Sequence, residues 1–407
     1  QTAKSGADTP HSKVFMDDSK NDDGPEMTPE RLKELLDRSG FAFRGFDQSN
    51  LGKTPELLAH QIYGPTVEKH LLGASMIASD VLGREVDLVA RVRERRAETL
   101  ADYGESIALI VSVEMAQLEL LHEFFGIEYR SAPLALGYSL GEVAALVASG
   151  VYSIDGVLTP LLALSDDMVS QAEDVRMGIV FSRGPEMEFS AVERLCLEIT
   201  NQGHGTIAIS SYLSPNTVLV LGQRGTLDEL KAAVKGRFAK GTNVKENKDR
   251  WPPIHTHITR QKHIPDRAAV MMERMPGGFT APQPNILSCV TGSMGYTDIN
   301  SRDLLNRWVD EPQRLWDVVE QTISSGVELL IHVGPAPNII PATMQRISQN
   351  VQQQLAAKTW VGLGKRAVSR MVRRPWLTKV MSAKTNLLRA PFIQEVILED
   401  WLLAQMP

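Results

Sequence analysis

Apolar and polar positions follow two rhythms along this chain of 407 residues. Short, continuous apolar runs closed by Gly, Pro or Asn predict buried strands, and apolar residues three and four apart predict helices. Thr28-Pro29-Glu30 predicts the capped start of a short helix over 31–37, with Pro at its first position and Gly40 ending it. Phe41-Ala42-Phe43 predicts a strand that enters the loop 44–50. Helical periodicity dominates from 54 to 125 and includes the stripe Met115, Leu118, Leu120, Leu121. Ala132-Pro133-Leu134-Ala135-Leu136 predicts a short buried strand, and Val143-Ala144-Ala145-Leu146 the first turns of a packed helix. Another helix is expected around 155–173.

From 177 the rhythm changes. Met177-Gly178-Ile179-Val180-Phe181 predicts a strand, 190–200 a helix, 206–209 and 217–222 two strands, and 226–234 a capped helix. The order β-α-β-β-α is that of a ferredoxin-like unit, expected here as a subdomain inserted into a larger α/β domain. Beyond 250 the α/β texture returns, with strands at 284–290 and 327–333 around a helix over 308–324. The tail is basic up to Arg374, and 391–405 predicts an amphipathic helix. No internal repeat is visible.

Length and an apolar content of 43% predict two or three structural units around a large core. The expected division is a flexible leader (1–27), a core built from 28–175 and 251–375, the subdomain 176–250, and a C-terminal helical extension (376–407). The leader is too polar to bury enough apolar area to order itself. A net charge of -6 without a basic stripe argues against nucleic-acid binding. Cys196 and Cys289 lack metal spacing and lie in apolar surroundings, which predicts buried thiols in a reducing compartment. No apolar run reaches membrane-spanning length, so a soluble, cytoplasmic, monomeric protein is expected.

The chemistry concentrates at Gly137-Tyr138-Ser139-Leu140-Gly141, a G-x-S-x-G sequence between the predicted strand and helix. A serine on such a turn is held in a strained conformation with its hydroxyl presented, and the glycines remove side chains that would clash. The Leu140 N–H then opens a helix, where it can stabilise an oxyanion. This pattern predicts acyl chemistry through a serine ester.

In its motifs the chain resembles the malonyl-CoA:acyl-carrier-protein transacylases and the acyltransferase domains of polyketide synthases. Gly-Tyr-Ser-Leu-Gly-Glu at 137–142 stands against the family's Gly-His-Ser-Leu-Gly-Glu, and Ala-Leu-Val-Ala-Ser-Gly-Val at 145–151 continues the match. Phe41-Ala42-Phe43 with Gln48 resembles the first strand and its glutamine-containing loop, the usual Gly-Gln-Gly having become Asp47-Gln48-Ser49. Tyr212 to Val220 resembles the Asn-Ser-Pro hairpin, Pro253-Ile254-His255-Thr256 the active-site histidine segment, and Gly334-Pro335-Ala336-Pro337 the turn after the last core strand. The matches run from about 41 to 350 in family order.

The resemblance implies an α/β-hydrolase-like large domain with a mostly parallel sheet and an inserted ferredoxin-like subdomain. It implies that His255 deprotonates Ser139, that the amides of Gln48 and Leu140 hold the oxyanion, and that a backbone carbonyl near Trp308 orients the histidine. His257, two residues on, is the rival base. A coenzyme A thioester would be the donor and the phosphopantetheine thiol of an acyl carrier protein the acceptor, with no permanently bound cofactor and no metal.

The pattern breaks at the carboxylate clamp. The arginine that pairs with malonate in the family falls at Leu164 or Ser165 here, and Asp166-Asp167 follow. Either the substrate is an uncarboxylated acyl group or another cation substitutes, Arg260 and Lys262 being the nearest in sequence to the histidine. The preferred expectation for both is contact with a carrier protein or coenzyme phosphates, or simple exposure to solvent. Tyr138 replaces a histidine beside the nucleophile, and Pro252-Pro253-Ile254 fits neither common specificity tripeptide. The alternatives to a transferase are an acyl-carrier thioesterase on the same scaffold and a non-catalytic docking module. A patatin-like lipase would need a later Asp-Gly-Gly or Asp-Gly-Ala, neither of which is present, and a standard α/β-hydrolase would place its histidine after the last strands.

Overall fold

The computed structural model describes residues 27–183, 187–356 and 386–405. The expected leader, apart from Met27, and the basic stretch up to Arg374 beyond Ala356 lie outside them. In chain order the strands are β1 (Ser39–Phe43), β2 (Leu134–Gly137), β3 (Val175–Ser182), β4 (Ile207–Ser214), β5 (Thr217–Gln223), β6 (Thr242–Glu246), β7 (Asn285–Ser288), β8 (Ser293–Met294), β9 (Leu329–Val333) and β10 (Gln394–Ile397). The first helices are α1 (Pro29–Leu35), α2 (Thr54–Ala59), α3 (Gly64–Leu82), α4 (Leu88–Arg93), α5 (Tyr103–Phe125), α6 (Leu140–Ala148), α7 (Ile154–Ala163) and α8 (Ser165–Ala172). They are followed by α9 (Phe189–Asn201), α10 (Thr226–Arg237), α11 (Ile264–Glu273), α12 (Ser301–Asp310), α13 (Leu315–Ser324), α14 (Ile339–Ala356) and α15 (Leu398–Ala404).

The larger sheet has the order β10-β9-β1-β2-β7-β8 and is parallel except for β8 on β7. Its central strands are buried along their whole length, which is why they read as unbroken apolar runs. Helix α5 lies in the main hydrophobic core with most of its residues buried, and Gly126 ends it in the left-handed region at φ 59°. The second sheet, β4-β5-β3-β6, is antiparallel throughout. With α9 and α10 it completes a β-α-β-β-α-β ferredoxin-like unit with its own core of Val180, Val192, Leu195, Val218 and Leu227.

Several expected elements change. Thr28 caps α1 as predicted, its hydroxyl accepting from the Arg31 N–H, but Gly40 lies inside β1 and a 3-10 turn over Leu36–Arg38 ends the helix. The helix expected at 155–173 divides at Leu164 into α7 and α8. The helix expected at 308–324 is two helices, because Pro312 cannot supply a helical N–H and disfavours helix in the residue before it. Among the described residues of the expected C-terminal helical extension, 386–405, the chain is not continuously helical. A 3-10 turn (Leu387–Phe392) leads into β10, which pairs in parallel with β9, and only then into α15, where Trp401 packs edge-on against Phe125. Strands β6, β8 and β10 escaped the pattern because they lie at sheet edges, where side chains need not be apolar.

Register places the chemistry. Phe43 of β1 pairs with Gly137 of β2, so the loop leaving β1 and the serine turn leaving β2 emerge side by side. This is the carboxyl end of a parallel sheet, where open α/β folds bind their ligands.

Candidate active site

Ser139 follows β2 and immediately precedes α6, with φ 54° and ψ −118°. Its φ is in the range L-residues rarely adopt, a strain that the surrounding contacts must hold. Both flanking glycines are required by close approach. A Cβ on Gly137 would lie 2.1 Å from the Gly141 carbonyl carbon, and one on Gly141 would lie 2.3 Å from the Phe43 carbonyl oxygen. The Ser139 carbonyl accepts from the Glu142 N–H at 3.0 Å and from the Trp308 indole N–H at 3.0 Å, which ties the turn to α12.

His255 arrives from the segment that leaves β6. It is buried, has φ 64°, and donates its backbone N–H to the Val309 carbonyl at 2.8 Å. Its Nδ1 lies 2.6 Å from the Trp308 carbonyl oxygen and its Nε2 lies 2.7 Å from Ser139 Oγ. A carbonyl only accepts, so Nδ1 carries the proton and Nε2 presents a lone pair to the serine. Burial pushes the imidazole pKa down to about 4, against the opposing pull of the Trp308 carbonyl. The ring is therefore neutral at neutral pH and able to accept a proton.

The Trp308 carbonyl is available because of the broken helix. Residue 312 would return the helical hydrogen bond to it, and that residue is a proline without an N–H. Thus the break that divides α12 from α13 also supplies the group that orients His255. His257 is exposed in the 3-10 turn His257–Lys262 and is not the histidine brought to the serine.

Leu140 opens α6, so its N–H belongs to the first turn, whose amides have no partner within the helix. The Gln48 amide is already engaged within its own loop. This backbone N–H is taken by Asp47 Oδ1 at 2.7 Å, and the exposed Gln48 side chain bonds Asp249. The short polar side chain of Asp47 turns that amide back onto its own loop. The loop residue that touches the serine turn is Gly45, on which a Cβ would lie 2.5 Å from the Tyr138 carbonyl oxygen. The amide next in line is that of Phe46, whose ring packs edge-on against Tyr103 at 4.9 Å and Trp251 at 5.8 Å.

No family model matches the chain. It is 24% identical over 246 residues to the spectinabilin polyketide synthase system protein NorB of Streptomyces orinoci, covering 59% of this chain and 10% of that protein. It is 23% identical over 170 residues to hispidin synthase of Neonothopanus nambi, covering 42% of this chain and again 10% of the relative. The chain thus spans about a tenth of the length of the curated relatives it matches. Solved structures align over far more of their length. FabD from Acinetobacter baumannii superposes with a TM-score of 0.63 at 17% identity, covering 76% of this chain and 91% of that one. The malonyl-CoA:acyl carrier protein transacylase of Xanthomonas oryzae pv. oryzae gives 0.61 at 21%, covering 77% and 92%. This chain has the malonyl-CoA:acyl-carrier-protein transacylase fold. A malonyl-transacylase solved with a type II polyketide synthase acyl-carrier protein shares it, at TM-score 0.59 and 23% identity over 75% of this chain and 92% of that chain.

On this transacylase fold the expected clamp position is apolar. Leu164 is 5% exposed at the α7–α8 junction, and the buried Ser165 hydroxyl donates to the Leu162 carbonyl at 2.7 Å. Arg260, whose side chain is 62% exposed, pairs with Asp310 at 2.6 Å. Lys262 pairs with Asp167 at 3.3 Å, and Arg267 pairs with the same carboxylate. Of the two acidic residues after the clamp position, Asp167 therefore occupies two of the neighbouring cations.

Two residues of this site were not singled out from the sequence. Glu142 is fully buried beneath the serine turn, where its carboxylate accepts from the Tyr296 hydroxyl at 2.6 Å and the Cys289 N–H at 2.8 Å. Burial raises its pKa to about 7, against those hydrogen bonds. Arg44 is also fully buried, at the end of β1. For Glu142 the signal was its place at the end of the 137–142 motif, and for Arg44 a charge set beside an apolar run.

Proposed function

We propose that this chain transfers an acyl group from a coenzyme A thioester to the phosphopantetheine thiol of an acyl carrier protein through an ester on Ser139. The observation that carries the reading is the relay from the Trp308 carbonyl through His255 to Ser139, beside the helix-opening amide of Leu140. His255 Nε2 takes the Oγ proton as Oγ bonds the thioester carbonyl carbon. The C–S bond breaks, the proton passes from Nε2 to the leaving sulfur, and coenzyme A departs as its thiol. The carrier thiol then gives its proton to Nε2, bonds the acyl carbon and returns Ser139 to its hydroxyl form. The oxyanion of each tetrahedral intermediate is met by the N–H groups of Leu140 and Phe46.

The acyl group is uncarboxylated in this reading. Phe46, in the loop beside the serine turn, and Ile254, next to His255 in sequence, both pack against the main apolar core, which includes Tyr103, Leu164 and Met168. Arg260, Lys262 and Arg267 are already bonded to carboxylates. A buried malonate carboxylate without a cation would cost several kcal/mol. The polyketide synthase relative, the FabD structures and the solved carrier-protein complex on this fold support a place in fatty-acid or polyketide assembly.

The test is intact-mass measurement after incubation with acetyl-, longer acyl- and malonyl-CoA. An acetyl or longer adduct that vanishes in Ser139→Ala supports the assignment. A malonyl adduct would overturn the uncarboxylated substrate class, and rapid release of free acid without acceptor would make the protein a thioesterase. Absence of adduct and turnover with every thioester, coenzyme A or carrier-bound, would end the serine-ester reading.

A further inference from the structure

From Phe46 to Asn50 the loop that leaves β1 beside Ser139 has no glycine, and its conformation there is set by a buried cation. Arg44 is 0% exposed. Its Nε donates to the Gly45 carbonyl at 2.7 Å. Its Nη1 donates to the carbonyls of Pro335 at 2.5 Å and Ser49 at 3.4 Å, and its Nη2 to the Ser49 carbonyl at 3.4 Å and Asn50 Oδ1 at 2.5 Å. A guanidinium has five N–H donors, and these contacts use all of them. No donor remains for a substrate carboxylate, so Arg44 is not a displaced malonate clamp.

We propose that Arg44 is a positioning residue that templates the 45–50 loop and thereby aims the Phe46 amide at the oxyanion formed on Ser139. The inference rests on the serine-ester reading given above. One planar fork holds both ends of the loop, Gly45 and Ser49–Asn50, and fastens them to the turn after β9 through Pro335. The backbone is held as well: the Arg44 N–H donates to Glu114 Oε1 at 2.9 Å, and the Gly334 N–H donates to Gln117 Oε1 at 2.7 Å, both acceptors on α5. Asn50, also 0% exposed, completes the fixture. Its Oδ1 accepts from the Asp47 N–H at 3.0 Å, and its Nδ2 donates to the Asp47 carbonyl at 2.7 Å. The Phe46 side chain meanwhile is seated on Tyr103 and Trp251. Between the guanidinium on one side and the aromatic rings on the other, the Phe46 amide has one place to be.

Lysine keeps the charge but offers a point donor with three hydrogens in place of a fork, so Arg44→Lys cannot hold both loop ends. Rapid-quench acylation of Ser139 by the acyl-CoA that labels the wild type is expected to slow about 100-fold, as for an ångström-scale misplacement. KM for that thioester should stay within about threefold and the acid limb set by His255 should not move, since the interaction is made only in the transition state. Asn50→Ser, which loosens the loop from its other end without removing the buried charge, should slow acylation in the same way and serves if Arg44→Lys does not fold. Wild-type acylation rates per folded molecule in either variant would overturn the proposal, as would a loss that is wholly in KM. Failure of the wild type itself to form an acyl adduct would instead remove the serine-ester reading.

Discussion

His255 owes its state to burial and to one carbonyl. Desolvation disfavours the imidazolium, and the Trp308 carbonyl fixes the proton on Nδ1, so the ring is neutral with a lone pair on Nε2 over the neutral range. The expected pH dependence of Ser139 acylation follows with its sign. The rate is level from neutral pH down to about 5 and falls as pH drops through about 4, the pKa to which burial lowers the ring. Single-turnover acylation measured against pH checks this, and a limb centred near 6.5 would mean that the imidazole is solvated when it reacts. Because the folded-state pKa lies below the ordinary value of 6.5, the unfolded chain binds the extra proton between the two. The resulting stability is full above 6.5 and is lost as pH falls towards 4. Ser139 and His255 were legible in the sequence because a nucleophile turn and a histidine segment carry local signatures. Gln48 misled for an equally local reason: the glutamine was visible, but the capture of its amide by Asp47 was not.

At the scale of elements, the serine turn works because β1, β2 and α6 approach one another almost without clearance. Gly141 is the point of closest contact, with backbone of Phe43 and Arg44 on its far side. A methyl there meets carbonyl groups, which cannot move aside as a flexible side-chain end would. Gly141→Ala is expected to cost about 3 kcal/mol or more of stability, at the upper end of overpacking effects. Urea denaturation measures the loss, and a variant within about 0.5 kcal/mol of the wild type would show that the strand and helix are not so closely joined. The break between α12 and α13 carries the same lesson from the other wall. Read as periodicity, 308–324 is a helix; read as hydrogen-bond supply, Pro312 frees the Trp308 carbonyl for His255. Edge strands β6, β8 and β10 were illegible because a strand paired on one side can carry polar residues such as Thr242, Asn243 and Lys245.

At the scale of the whole molecule, two sheets with separate cores meet around the site. The ferredoxin-like unit joins the larger body where Gln313, between α12 and α13, exchanges backbone hydrogen bonds with Ser210 and Tyr212 of β4 at 2.8 Å each. Its six elements are contiguous in sequence and pack on their own apolar cluster. A fragment spanning 174–250 is therefore expected to melt cooperatively by itself, followed by circular dichroism. A broad, non-cooperative loss of signal would show that this unit depends on the rest of the chain. Among the described residues no helix is long and apolar enough to cross a membrane.

The sequence by itself determined the strand–serine–helix turn, the mostly parallel sheet, the inserted β-α-β-β-α run and the histidine that follows it. Each depends on local periodicity or on residues within a few positions of one another. Only the tertiary structure decided which side chain takes the Gln48 amide, which carbonyl faces His255, and that Arg44 has every donor spent. The last two outcomes depend on groups brought together across 291 positions in the case of Arg44 and Pro335, and across 53 for His255 and Trp308. A hydrogen bond is chosen by the geometry of both partners. The sequence states that the donors and acceptors exist, and folding decides which of them meet.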